Sequence, residues 1–139
     1  MVYEDGGPRF GDEGKARQDP MRNQEWAWDQ LLPIDPTRFK WMIYAERGHT
    51  LKDASTWMGW SPTTIYGIIH KGRIHLKALF DVLDWKNHMR RKYNFNTLTV
   101  DELYEIIKAD GMPPLFEFDF DKRKDYEREA RKKKGISNG

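Results

Sequence analysis

Cysteine is absent from the 139 residues, so no disulfide framework and no thiolate metal site can form. A secreted, disulfide-stapled module is thereby disfavoured and a cytoplasmic location is expected. No stretch approaches the eighteen or so consecutive apolar residues of a membrane span. The opening MVYEDGGPRFGDEG lacks the basic-then-apolar order of a signal peptide. Apolar material is also scarce: 38% of residues are hydrophobic and 33% charged, with a mean hydropathy of −0.89. One modest core with polar ends is expected. The motifs of catalysis are missing too, with no phosphate-binding glycine loop, nucleophile elbow or Cys-His arrangement. His49, His70, His75 and His88 do not fall at paired metal-ligand spacing, and Asp81 and Asp84 occupy ordinary amphipathic positions. No enzymatic activity, cofactor or metal is expected.

What is present is unevenly distributed. The net charge of +2 divides into −4 over residues 1–37, +7 over 38–92 and −1 over 93–139, and all four histidines lie in the basic middle. Such a footprint suits phosphate neutralisation. Residues 1–23 are polar and rich in glycine, and read as a flexible arm. A helical domain is expected over 24–96. Trp26, Trp28, Leu31, Leu32 and Ile34 crowd its start as a short helical or extended segment, and a first helix is capped by Asp35 or Thr37. Phe39, Met42, Ile43 and Glu46 share one face of that helix, and Arg47-Gly48 closes it. Leu76, Leu79, Phe80 and Leu83 set another helix over Leu76–Trp85, and the basic and aromatic residues 86–96 either continue it or form a connector. Residues 97–120 add a helix opened by the capping box Thr99–Glu102 and an alternating segment, Phe116, Phe118 and Phe120, which suits a short strand or extended arm lying on the domain or on a partner subunit in a dimer. Residues 121–139 read as a charged, solvated helix and tail, with Glu127 and Arg131 at ion-pair spacing.

The segment from Thr50 to Gly72, TLKDASTWMGWSPTTIYGIIHKG, is the most informative. Thr50 and Asp53 have capping-box spacing, so a helix starts at Leu51. Gly59 ends it, and Ser61-Pro62 supplies an N-cap followed by proline at the first helical position. A second helix then runs from Pro62 to Lys71, closed by Gly72. This is the plan of a helix-turn-helix. With Leu51, Ala54, Gly59, Ser61, Thr64-Ile65 and Gly72, followed by the Leu76 to Leu83 pattern, the chain resembles the lambda repressor and Cro-like family over about residues 37–85. The resemblance implies a mainly α fold, a four- to five-helix domain of that type with a flexible N-terminal arm and a charged C-terminal extension. It also implies a phage or bacterial transcriptional regulator that binds duplex DNA, as a homodimer, and blocks or recruits RNA polymerase.

If the second helix enters the major groove, Thr63, Tyr66 and His70 are the expected base contacts. Backbone contacts are expected from Thr50, Lys52, Ser61, Lys71, Arg73, Lys77, Arg90, Arg91 and Lys92. Gly67 stands where a longer, basic residue is common in the family, and no arginine precedes Lys71 in this helix. These features motivate an alternative: a phage-type adaptor, like a terminase small subunit, or a host-factor binder that uses the same helices as a scaffold for protein contact.

Overall fold

A computed structural model describes residues 27–46 and 49–138, with side chains described to Lys133. The expected arm over 1–23, Trp26, and the Arg47-Gly48 stop lie outside these residues. The fold is mainly helical with one small sheet. Its order is β1 (Leu31–Pro33), α1 (Pro36–Tyr44), α2 (Leu51–Met58), α3 (Pro62–Lys71), β2 (Arg73–His75), α4 (Leu76–Lys92), α5 (Val100–Ile107) and α6 (Arg123–Asn138), with 3-10 turns at Leu115–Glu117 and Phe120–Lys122.

Local chemistry explains most of these boundaries. Asp35 opens α1 by accepting from the amides of Thr37 and Arg38. In α2 and α5 the capping boxes close in both directions, Thr50 with Asp53 and Thr99 with Glu102. The left-handed Gly59 (φ 76°) lets the Trp60 amide donate to Ser55 O at 2.9 Å and its own amide to Thr56 O at 3.1 Å, a Schellman turn. α4 continues through Trp85 to Lys92, so most of the basic segment after Trp85 is helix and not connector. Its stop is Asn94 (φ 65°), whose amide donates to Arg91 O at 3.1 Å while that of Phe95 donates to Arg90 O at 2.8 Å.

Every helix contributes to one core, in which Phe39, Ile43, Ile65, Leu79, Trp85, Leu103 and Tyr104 are fully buried. Two polar features bind it together. Lys86 is buried, donates to Met42 O at 2.8 Å and pairs with the buried Glu46. Tyr104 donates its hydroxyl to Pro33 O at 2.7 Å, and burial pushes that hydroxyl's pKa up.

The open choice for the segment ahead of α1 falls to the extended form, and two expectations are corrected. β1 and β2 pair antiparallel, Leu31 with His75, Leu32 with Ile74 and Pro33 with Arg73, a ribbon that straps the chain ahead of α1 to the end of α3. The phenylalanine arm is two 3-10 turns instead of a strand, so its side chains do not share a face. Phe118 is buried against Tyr104, Phe120 and Tyr126, whereas Phe116 is 74% exposed. Finally, α6 is docked through Tyr126 and Ala130 on the core, and Glu127 pairs with Arg123 and Arg73 in place of Arg131.

Candidate nucleic-acid interface

The side of the molecule built from α2 and α3 begins with the turn between them. Trp60 anchors it: the ring is partly buried against the core and Nε1 donates to Asp81 Oδ2 of α4 at 3.2 Å. Ala54 and Ser55 of α2 are buried as well. From this anchor α3 is held by Ile65, its one buried residue, with Ile68 and Ile69 packed partly against the core. The rest of its length is presented outward. Ser61, Pro62, Thr63, Thr64, Tyr66, His70 and Lys71 are exposed, Tyr66 at 55%.

The start of α3 carries a cluster of hydroxyls. Ser61 occupies the N-cap position with extended backbone, yet its side chain makes no bond to the first-turn amides. It is bonded instead to the hydroxyls of Thr63 and Thr64, each at 3.0 Å. The amides at the start of α3 are thereby left without the usual side-chain cap, at the positive end of the helix dipole. Thr64 joins Ser61 and Thr63 because three residues span one helical turn, a spacing that could have marked it as a site residue in the sequence.

Residues 54–80 contain no Asp or Glu, while Lys71, Arg73 and Lys77 are cationic. The sequence-predicted backbone contacts divide into distinct roles. Lys52 is exposed on α2 and Lys71 at the end of α3. Lys77 is exposed at the start of α4, 4.0 Å from Asp81 and over the Trp28 ring at 5.9 Å. Thr50 is a cap: its amide and hydroxyl both donate to Asp53 Oδ2, at 2.9 and 3.0 Å. Those bonds hold the Asp53 carboxyl below its ordinary pKa, and the anion beside Thr50 leaves that residue no donor for a phosphate. Arg73 is held by Glu127 of α6 at 2.8 and 3.2 Å. An open cleft of about 420 Å³ between α3, the start of α1 and α6 is lined by Asp35, Lys71, Arg73, Asp110, Glu127 and Arg131, charges of both signs.

The cluster Arg90 to Lys92 lies on the last turns of α4. Arg90 is engaged in its own loop, donating to Asn96 O and lying over the Phe95 ring at 5.5 Å. Arg91 and Lys92 are exposed. They act on His88, whose pKa is lowered first by burial and then by these two cations. His88 in turn stacks on Trp57 of α2 at 5.2 Å, so this positive cluster adjoins the outer face of α2. Of the predicted set, Ser61 and Thr63 are brought into contact, and Lys71 and Arg73 line one cleft. Compared with family models, with curated proteins and with solved structures, the chain finds no match.

Proposed function

We propose that this protein is a duplex-DNA-binding regulator of helix-turn-helix type, with α2 as the supporting helix and α3 as the helix that enters the major groove. The observation that carries this reading is the outward presentation of α3, six of whose ten residues are exposed, within a run of 27 residues free of carboxylates. Thr63, Tyr66 and His70 read base edges. Lys52, Lys71, Lys77, Arg91 and Lys92 hold phosphates, together with Ser61 at the helix start. The lambda repressor-like resemblance agrees with this assignment and adds a homodimer, a cytoplasmic setting and RNA polymerase as the downstream partner.

Titration with duplex DNA at rising salt tests the proposal. Each neutralised phosphate contributes about −0.9 to the slope of log affinity against log salt. Binding that ignores salt, or no binding, overturns it. Selection on random duplexes then separates the roles. Thr63→Ala and Tyr66→Ala flatten sequence preference, whereas Arg91→Ala weakens all duplexes alike.

A second reading, an adaptor or host-factor binder, is favoured by the exposed aromatic side chains Trp41 (66%), Trp57 (47%) and Phe116 (74%). Light scattering separates the two: a ring-sized assembly supports the adaptor, and a monomer or dimer supports the regulator.

A further inference from the structure

Gly67 sits at the centre of α3, where glycine is a poor choice, because its backbone loses more freedom on folding than that of any other residue. Folds accept glycine inside an element for a left-handed backbone, a close neighbour or a helix end. Gly59, Gly72 and Gly111 have the first of these, with φ of 76°, 68° and 88°. Gly67 has none: its φ is not positive, and among the described residues a Cβ built there would meet no atom within 4 Å beyond the backbone of its own helix. Among the described residues, packing supplies no reason for this residue. A partner that comes close to the helix backbone does.

The surroundings of Gly67 narrow what that partner group is. One turn to either side on the helix stand Thr63, Thr64, His70 and Lys71. From Ser61 to Ile69 there is no Arg, Lys, Asn, Gln, Asp or Glu, the side chains that make paired or charged hydrogen bonds to guanine, adenine and cytosine edges. The three hydroxyls at the helix start share two hydrogen bonds among themselves. Beside the bare Cα of Gly67 stand the Tyr66 ring and, one turn before it, the methyl-bearing Thr63 and Thr64, with His70 and Lys71 one turn after it. The base feature that matches an apolar notch is the 5-methyl group of thymine.

We propose that Gly67 is the point of closest approach between α3 and duplex DNA, and that the space of its missing Cβ receives a thymine methyl group. This inference rests on the duplex-DNA reading of α3. It makes Gly67 a specificity-determining residue, and A·T pairs carry the sequence preference.

The test uses the tightest duplex recovered from a random pool, prepared once with thymine and once with deoxyuridine, which lacks only the methyl group. The full chain binds the thymine duplex about tenfold more tightly than the uracil duplex. Gly67→Ala raises Tm by roughly 2–5 °C, since alanine is the better helix former and its Cβ meets nothing. The same variant binds the thymine duplex about tenfold more weakly than the unchanged chain and no longer distinguishes it from the uracil duplex. Indifference of the unchanged chain to uracil, or a thymine preference that survives in Gly67→Ala, overturns the inference while leaving the DNA-binding reading in place. Absence of salt-sensitive binding to either duplex overturns both.

Discussion

Glu127 holds the guanidinium of Arg73 with both carboxylate oxygens, at 2.8 and 3.2 Å, and takes a third bond from Arg123 at 3.1 Å. The last helix therefore neutralises a cation directly after the proposed reading helix. Glu127→Gln removes that charge and frees Arg73 for phosphate. The expected result is tighter duplex binding and a salt slope steeper by about 0.9, the contribution of one further phosphate contact. An unchanged slope places Arg73 outside the contact set.

The buried Lys86–Glu46 pair gives a stability prediction of larger size. Lys86→Met leaves the Glu46 carboxylate buried without its partner and costs about 3–5 kcal/mol. Adding Glu46→Gln removes the orphaned charge, and the double variant recovers most of the loss. Urea unfolding of Lys86→Met, of Glu46→Gln alone and of the double variant measures the coupling between the two positions.

Tyr104→Phe keeps the ring but deletes the 2.7 Å bond to Pro33 O. A loss of about 1–2 kcal/mol follows. It is read in the unfolding midpoint, with the far-UV spectrum unchanged because α5 retains its capping box.

His88 supplies a pH dependence whose sign is fixed by its lowered pKa. The unfolded chain takes up a proton at this position near pH 6.5, its ordinary value, while the folded chain resists until lower pH. This contribution is complete above that value. It is lost as the pH falls through the window between the unfolded and folded pKa. His88→Gln flattens that part of the Tm profile between roughly pH 7.5 and 5.5, and an NMR titration of the ring places its pKa below 6.5.

The helices of the candidate interface were legible because their ends are written in single residues. Thr50 with Asp53, Gly59, Ser61-Pro62 and Gly72 mark α2 and α3, and the structure places both at those bounds. The ribbon left no comparable trace. Its strands are three residues long, too short to show alternation, and β1 ends in proline. The phenylalanine arm misled for the opposite reason: its period of two is a real pattern, yet Phe118 docks on Tyr104 and Tyr126 with Phe120 packed beside it, and the chain there forms 3-10 turns. Partnerships between distant charges were equally hidden. Nothing near Arg73 or Arg90 in sequence announces that the first meets Glu127, 54 residues on, or that the second closes its own loop on Asn96.

The β1–β2 ribbon also has a bearing on how the molecule is made. Its paired residues stand about forty positions apart, so the strand ahead of α1 emerges from a ribosome well before its mate and must wait for α3 to be synthesised. Until then β1 offers an unpaired edge. Closing the ribbon is the long-range step that brings α1, α2 and α3 under one strap, and the rate of acquiring the finished fold is tied to it.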